Sequence, residues 1–433
     1  MNYYSLNNQS PPVDFKEATI KSLAPDKGLY FPDKIPPIDK ELLHNIEMIS
    51  NEEIAYRVIL PYVGNTIPKD ILYQIVSETI QFPIPLVPVT NTLFSLELFH
   101  GPTLAFKDIG ARFMSRCLGQ FVQQQDKKII VLVATSGDTG GAVANGFYEV
   151  DGIDVVILYP SGKVSSVQEK QLTTLGKNIH ALEIEGSFDD CQLLVKQAFA
   201  DKALTEKLFL TSANSINVAR WLPQQFYYFF AYKQWKEKEM PPVVSVPSGN
   251  FGNICAGLLA ASSGLPITHF IAACNANDTV PRYFQSMLFE PHPSVTTLSN
   301  AMDVADPSNF VRILEIFNNQ FTELTSMLSS YTIGDADTVA TIKELYERHH
   351  YLADPHGAVA CCALQQYIFK HPGSKGIFLE TAHPAKFPDA IVEATGQQVV
   401  IPQSLNALLE KPKNSTRLPI SYNALVEFLT GNY

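Results

Sequence analysis

The sequence lacks the features that mark membrane, secreted and metal-binding chains. No uninterrupted apolar segment approaches the roughly 20 residues that a bilayer span needs, and the first residues lack a basic start followed by an apolar run. The six cysteines form no Cys-x-x-Cys pair, and no histidine cluster at zinc spacing accompanies them. We therefore expect a soluble, cytoplasmic protein with reduced thiols, no redox motif and no structural metal.

Positive charge is also scarce. Lys and Arg number 32 against 43 Asp and Glu, which gives a net charge of −11 and argues against a general affinity for nucleic acid or an anionic membrane. Any anionic ligand must therefore be held by local groups. The 433 residues, 46% of them hydrophobic, are enough for two or three domains with a sizeable core.

Two patterns divide the chain. Residues 1–80 are punctuated by prolines and then show helical periodicity, which predicts a small, mostly helical N-terminal region. From Leu96 onward, short apolar segments alternate with helical ones. This alternation predicts a mostly parallel sheet that is buried on both faces and takes its ligands at the carboxyl ends of its strands. The predicted strands cover residues 128–134, 155–159, 179–184, 243–246, 270–273 and 376–379.

An aromatic-rich helix is predicted from Val218 to about Lys238. A base-stacking surface would need interleaved arginines, which this stretch lacks, so we interpret its aromatic residues as core or subunit interface. The segment from about Gln398 is predicted to consist of helix and loop.

The stretch HGPTLAFKD, from His100 to Asp108, contains the first candidate catalytic residue. Lys107 follows an apolar run broken by a Gly-Pro pair, which predicts that the amine lies at the end of a strand or turn and points inward. Shielding an amine from water lowers its pKa and makes the neutral nucleophile available for Schiff-base chemistry. The structural alternative is a lysine that pairs with Asp108 at the surface.

Two glycine-rich loops follow two of the predicted strands: ATSGDTGG at 134–141 and PSGNFGN at 247–253. A glycine-rich turn that opens a helix lets backbone N–H groups approach an anion, and the helix dipole adds partial positive charge. Neither loop matches Gly-x-Gly-x-x-Gly or the Walker pattern. Each one alone is equally consistent with a tight strand-to-helix turn, but two loops and an inward lysine together favour a shared site.

Other polar residues follow strands or precede helices. Thr381, in ETAHPAKF, could offer its hydroxyl to the same crevice or cap a helix. Arg220, in SANSINVAR, and Lys163, in PSGK, could each reach an anion or form a surface salt bridge. For His100 and His383 a structural hydrogen bond is the commoner explanation.

Five motifs in this order, HGPTLAFKD, ATSGDTG, SANSINVAR, PSGNFG and TAHPAKF, together with GLYFP at Gly28–Pro32, resemble the threonine synthases of the shorter bacterial and fungal type. The resemblance covers nearly the whole chain. It implies a pyridoxal-phosphate enzyme with an α/β, tryptophan-synthase-β-like fold (PLP fold type II). It further implies an N-terminal region at 1–80 and a catalytic region at 81–433, the latter with a smaller mobile domain at about 101–215.

The resemblance also implies roles for individual residues. Lys107 would bind the cofactor covalently, and Thr381 would face the pyridine nitrogen. The cofactor phosphate would be held by Ser248, Gly249, Asn250, Phe251, Gly252 and Asn253. The substrate would be met by Ser136, Gly137, Asp138, Thr139, Lys163 and Arg220.

Many relatives in the wider fold have asparagine where this chain has Asp138. An acidic group beside a substrate carboxylate would repel it, so we expect Asp138 to be turned away or bonded to backbone N–H groups.

The implied reaction converts O-phospho-L-homoserine and water to L-threonine and phosphate. One alternative is another pyridoxal-phosphate lyase of the same fold, a dehydratase or phospho-lyase. A dehydratase needs no second anion pocket, so the positions of Arg220 and Lys163 bear on that choice. The other alternative is a catalytically idle relative with a binding or regulatory role.

Overall fold

The computed structural model of the protein describes residues 1–123 and 128–433. The strands of that part of the chain are β1 (Tyr3–Ser5), β2 (Tyr30–Pro32), β3 (Leu86–Pro88), β4 (Leu93–Glu97), β5 (Ile129–Ala134), β6 (Ile153–Pro160), β7 (Ile179–Ile184), β8 (Phe209–Thr211), β9 (Val243–Pro247), β10 (His269–Cys274), β11 (Leu328–Thr332), β12 (Gly376–Glu380) and β13 (Thr416–Leu418).

The α-helices of the same part are α1 (Phe15–Lys21), α2 (Lys40–His44), α3 (Asn51–Val63), α4 (Lys69–Thr79), α5 (Lys107–Val122), α6 (Asp138–Phe147), α7 (Ser166–Thr173), α8 (Phe188–Ala200), α9 (Lys202–Lys207), α10 (Val218–Trp221), α11 (Gln225–Gln234), α12 (Gly252–Ser262), α13 (Thr279–Ser286), α14 (Phe310–Ile316), α15 (Phe321–Met327), α16 (Asp335–His349), α17 (Pro355–Lys370), α18 (Pro388–Thr395), α19 (Gln403–Leu409) and α20 (Tyr422–Asn432). Short 3₁₀ turns lie at Leu222–Gln224, Asn300–Met302 and Pro384–Lys386.

A six-stranded sheet has the order β11-β10-β9-β12-β4-β3. Its pairs are parallel except β3 with β4. Every residue of β9, β10 and β12 is buried, as expected for parallel strands that are covered by helices on both faces and are therefore apolar along their whole length.

A five-stranded sheet has the order β13-β7-β6-β5-β8, and all of its pairs are parallel. Four of its strands come from the segment predicted as the smaller domain. The edge strand β13 comes from the C-terminal residues, and α20 packs on α8 beside it. The domain division and the mobility of the 101–215 segment stay predictions.

The mostly parallel architecture is confirmed. The six predicted strands correspond to β5, β6, β7, β9, β10 and β12, and their ends agree to within two residues. The short strands β1, β2, β3, β4, β8, β11 and β13 were not predicted, because three to five residues of mixed polarity carry no clear period of two. The aromatic segment after residue 217 is core, since Phe226 to Phe230 are at most 1% exposed.

The N-terminal region is mostly helical, as predicted, with helices α1 to α4, and it contains in addition the antiparallel pair β1–β2. It packs against the segment that precedes α10. Ser22 Oγ donates to the Ser212 carbonyl oxygen at 3.1 Å, and Asn217 Nδ2 donates to the Thr19 carbonyl oxygen at 2.8 Å. None of the helices in the described part of the chain is long and apolar enough to cross a membrane.

Candidate active site

Lys107 is the first residue of α5 and follows a turn after strand β4. The turn lies against the carboxyl end of β12: Phe106 N donates to the Thr381 carbonyl oxygen at 2.9 Å, and Ala105 and Ala382 form an isolated bridge. The backbone thus fixes Lys107 beside the last residues of β12, and of the two predicted positions, the end of a strand or of a turn, the structure shows the end of a turn.

The turn before Lys107 is built around the buried carboxylate of Asp108. Thr103 donates to it twice, from its backbone N at 2.9 Å and from Oγ1 at 2.5 Å. Gly101 must lack a side chain here, because a Cβ would lie 2.4 Å from Asp108 Oδ2. Burial raises the pKa of Asp108 to about 6. Asp108 therefore serves the turn, and the salt bridge recorded for Lys107 is to Asp138.

Lys107 faces a buried carboxylate that a second lysine also contacts. Its Nζ lies 3.8 Å from Asp138 Oδ2, and its side chain is 16% exposed. Lys386 Nζ lies 2.5 Å from Asp138 Oδ1, and its side chain is fully buried. Burial lowers the pKa of Lys107; Asp138 opposes this, while Lys386 and Arg220 add to it. This lowering is the condition that the neutral nucleophile requires.

Asp138 differs from the expectation that it turns away or bonds backbone N–H groups. Its recorded partners are side chains: Lys386, Lys107 and Gln168, whose Nε2 donates to Oδ1 at 3.0 Å. Burial favours the neutral acid, but Lys386 and Lys107 outweigh it and hold the pKa of Asp138 below its usual range. The site therefore contains an ionised carboxylate whose charge is offset chiefly by Lys386, the lysine in direct contact with it.

The loop at 135–139 links β5 to α6. Thr135 Oγ1 accepts from the N–H groups of Gly137 at 3.0 Å and Gly140 at 2.9 Å, which fixes the loop from within. Gly137 has φ of +141°, and a Cβ there would lie 2.4 Å from the Gln168 side chain. Ser136 and Thr139 are half-buried.

The loop at 248–253 links β9 to α12 and is the second glycine-rich turn. A Cβ on Gly249 would lie 2.6 Å from Met302 Cα, so the loop passes directly over a backbone. Phe251 adopts the left-handed conformation, with φ of +60°, and Gly252 then opens the helix. The first N–H groups of such a helix have no intrahelical acceptor and can bind an anion.

Side chains in and around this loop hold it in place. Asn250 Nδ2 donates to Ser215 Oγ at 2.6 Å, and Asn250 Oδ1 accepts from Ser308 N at 2.7 Å. Ser248 N donates to the Ala273 carbonyl oxygen at 2.8 Å. Asn253 receives a hydrogen bond from Tyr228 on Oδ1, while its buried Nδ2 has no partner in the described part of the chain. An unpartnered buried donor beside a helix N-terminus fits a phosphate group.

Thr381 directly follows β12 and is 6% exposed. Its carbonyl oxygen receives the Phe106 N–H described above. Within residues 1–123 and 128–433, its hydroxyl has no recorded hydrogen bond and caps no helix. The hydroxyl is thus available to a ligand beside Lys107.

The two candidate cations lie in different environments. Arg220, on α10, is 2% exposed, and its Nη1 donates to the Ala213 carbonyl oxygen at 2.6 Å. Its Nε is buried without a partner in the described residues. Burial lowers the pKa of Arg220 to about 10, and its charge acts on Lys107. Lys163 is exposed after β6, and its charge acts on Asp190 of α8. Arg220 thus packs against α5, the helix that Lys107 begins, since a Cβ on Gly110 would lie 3.2 Å from Arg220 Nε. The structure records no contact between Lys163 and the site in the described residues.

The two histidines next to these motifs are held by local hydrogen bonds, as the sequence favoured. His100 Nε2 lies 2.7 Å from Glu97 Oε2. His383 Nδ1 accepts from Ala385 N at 3.1 Å.

Sequence reasoning missed Lys386 and Gln168. Lys386 belongs to the TAHPAKF motif, so a second inward lysine close to Thr381 was the available signal. The sequence offers no such signal for Gln168, because a glutamine in the first turn of α7 is typical of an ordinary capping box, which Gln168 also forms with Ser165.

A shielded lysine, a helix-opening glycine loop with a free buried donor and a strand-end threonine converge in an α/β fold. This combination defines a pyridoxal-phosphate-dependent enzyme of the tryptophan-synthase-β-like class. Family models bear this out: the model for pyridoxal-phosphate dependent enzymes matches residues 79–376, that for the threonine synthase N terminus matches 2–80, and that for the threonine synthase C-terminal part matches 357–429.

Known proteins are similar over the whole chain. Threonine synthase of Serratia marcescens is 44% identical over 100% of this chain and 99% of its own. The crystal structure of threonine synthase from Escherichia coli has a TM-score of 0.93 at 42% identity and full coverage of both chains. A PLP-bound threonine synthase from Brucella melitensis has a TM-score of 0.93 at 35% identity, over 100% of this chain and 99% of that one. The chain belongs to the threonine synthase family.

Proposed function

We propose that the protein converts O-phospho-L-homoserine and water to L-threonine and phosphate, with pyridoxal phosphate as cofactor. The observation that carries the proposal is the position of Lys107, an inward amine with a lowered pKa at the point where the 135–139 loop, β12 and α5 meet. Family membership along the full chain supports the same reaction, the last step of threonine biosynthesis.

In this proposal the cofactor phosphate is held by the loop from Ser248 to Asn253. The free Nδ2 of Asn253 and the first N–H groups of α12 supply the donors. Thr381 places a neutral hydroxyl beside the pyridine nitrogen, which leaves that nitrogen unprotonated and moderates its pull on electrons. When bound, pyridoxal phosphate supplies the electron sink that makes the substrate Cα–H acidic.

Lys107 acts as the base. Its lowered pKa lets the free amine take the proton from Cα of the substrate. Loss of a second proton, from Cβ, is followed by cleavage of the Cγ–O bond, so that phosphate leaves. A proton then returns to Cγ, water adds its hydroxyl at Cβ and a proton returns to Cα, which gives threonine. The remaining proton of the water is taken up by the released phosphate.

Substrate anions are met by two groups of residues. The loop Ser136–Thr139 receives the carboxylate, and the charge of Asp138 does not repel it because Lys386 offsets that charge. Arg220 is the proposed cation for the substrate phosphate, because it is buried and acts on Lys107. Lys163 stays a candidate for the same role. Because it is exposed, it would have to reach the substrate phosphate from outside the group of residues around Lys107.

The test is a product analysis. Purified protein is incubated with pyridoxal phosphate and O-phospho-L-homoserine, and threonine, 2-oxobutyrate and free phosphate are measured by mass spectrometry. We expect threonine and phosphate in equal amounts, and no product from Lys107→Ala. Phosphate with 2-oxobutyrate would replace the proposal with a phospho-lyase. No turnover by the wild type would favour an idle relative, and normal turnover by Lys107→Ala would refute the catalytic role of this lysine.

A further inference from the structure

Lys386 is a fully buried lysine that takes part in no chemical step of the reaction described above. It ends the short turn Pro384–Lys386 after β12, and its Nζ contacts Asp138 Oδ1 at 2.5 Å and the Thr103 carbonyl oxygen at 3.0 Å. A buried ammonium loses its hydration and is retained only where it is paired. Both of its partners belong to elements that place Lys107, which points to a role in the site.

The contacts of Lys386 determine how Asp138 presents its two oxygens. Lys386 and Gln168 both bind Oδ1, at 2.5 and 3.0 Å. The other oxygen, Oδ2, lies 3.8 Å from Lys107 Nζ, beyond hydrogen-bond distance. The carboxylate is therefore held toward Lys386 and stops short of a direct bond with the reactive amine.

The charged groups that act on Lys107 come from four elements. Asp138, at the start of α6, and Asp354, just before α17, favour its ammonium form. Lys386, from the turn after β12, and Arg220, on α10, favour the neutral amine. Removing Lys386 removes one of the two cations and also releases Asp138 toward Lys107, so both effects favour the ammonium.

We propose that Lys386 is a positioning residue that binds Asp138 and offsets its charge, so that Lys107 is available as a neutral amine when the cofactor arrives. The inference rests on the proposed function, because it takes Lys107 as the attachment point. In the attachment step the Lys107 lone pair adds to the aldehyde carbon of pyridoxal phosphate, a C=N bond forms and one water leaves. The ammonium form cannot take this step, since its lone pair holds a proton.

The experiment measures attachment itself, without turnover. Apoprotein is incubated with pyridoxal phosphate for a fixed short time at a series of pH values and reduced with borohydride, and the modified Lys107 peptide is quantified by mass spectrometry. We expect the pH midpoint of attachment in Lys386→Met to lie about one unit or more above that of the wild type, because the variant leaves the Asp138 carboxylate close to Lys107 without the cation that offsets it. Lys386→Arg keeps the positive charge, so its midpoint is expected to lie close to that of the wild type.

Asp138→Asn supplies the opposite change. Without the carboxylate, Lys107 loses its nearest anion, and the midpoint is expected to fall below that of the wild type. Lys386→Met added to Asp138→Asn is then expected to shift the midpoint less than it does in the wild-type background. The double variant leaves no unpaired buried charge from this pair. Comparing it with Asp138→Asn therefore still measures the effect of Lys386 if Lys386→Met alone fails to fold.

The matched control is Lys375→Met. Lys375 also forms a 2.5 Å ion pair, with Glu237, but it lies at the amino end of β12, away from the site. The pH midpoint of attachment in Lys375→Met should equal that of the wild type. The inference would be overturned if the midpoint of Lys386→Met were equal to or below that of the wild type. It would also be overturned if Lys386→Met shifted the midpoint equally in the wild-type and Asp138→Asn backgrounds. Wild-type protein that is never modified at Lys107 would instead overturn the proposed function.

Discussion

Replacing Gly249 by alanine should weaken cofactor binding through a steric conflict that the structure locates. The new Cβ would lie 2.6 Å from Met302 Cα, 3.2 Å from Met302 C and 3.3 Å from the Ala301 carbonyl oxygen. All three are backbone atoms and cannot rotate away. The turn that carries them is itself fixed, by Met302 N to the Ser299 carbonyl oxygen at 2.9 Å and by Ala301 N to His356 Nε2 at 3.2 Å.

The glycine loop is therefore the part that must move. Forcing an extra carbon into a packed site costs about 1–3 kcal/mol. If this cost falls on the loop conformation that binds the phosphate, the dissociation constant for pyridoxal phosphate should rise about 5- to 150-fold, since about 1.4 kcal/mol corresponds to a factor of ten. Inserting a methyl group here should also lower the melting temperature of the apoprotein.

The assay is a titration of apoprotein with pyridoxal phosphate, followed by absorbance or by fluorescence quenching. Gly431→Ala is the matched control, because Gly431 lies in α20 and a Cβ there meets no atom within 4 Å. The control should bind as the wild type does. Gly249→Ala protein with wild-type affinity and an unchanged melting temperature would show that the loop does not need a glycine at this position, and would refute the steric reasoning.

Two further predictions concern groups around the same strands. Asn253→Asp replaces the free Nδ2 donor by a carboxylate, which would repel a phosphate. The affinity for pyridoxal phosphate should therefore fall more in Asn253→Asp than in Asn253→Ser. Equal losses of affinity in the two titrations would argue against a phosphate beside this side chain. Burial, together with the Asp354 carboxylate, raises the pKa of Glu380 well above its usual range. The native state therefore keeps a proton that the unfolded chain releases above about pH 4.3, and this contribution to stability is lost as the pH rises. Glu380→Gln should flatten that decline in urea unfolding measured from pH 5 to 9, and identical slopes for the two proteins would contradict a neutral Glu380.

The sequence predicted the elements that carry the site because their signals are local. Lys107 follows a Gly-Pro turn, and two glycine loops follow β-branched apolar runs, so each strand end could be recognised alone. Parallel strands place their carboxyl ends at one edge, which brought Thr381 into the same prediction. The structure puts Thr381 beside Lys107 through the Phe106 N–H.

Contacts between distant segments were beyond such reasoning. The pairing of Asp138 with Lys386 joins α6 to the turn after β12, and neither residue has a neighbour in sequence that indicates the other. Strand β13 adds to a sheet whose other strands end by residue 211, and its three residues are mostly exposed. The side-chain direction of Arg220 and Lys163 also depends on packing, which separated two cations that looked equivalent in the sequence.

In the proposed reaction, phosphate leaves by cleavage of the Cγ–O bond and water then adds at Cβ. The most direct test is to run the reaction of the holoenzyme with O-phospho-L-homoserine in water enriched in oxygen-18 and to analyse both products by mass spectrometry. We expect threonine with one heavy oxygen in its hydroxyl group and phosphate released without label. Labelled phosphate together with homoserine would show hydrolysis at phosphorus, and would exclude cleavage of the Cγ–O bond.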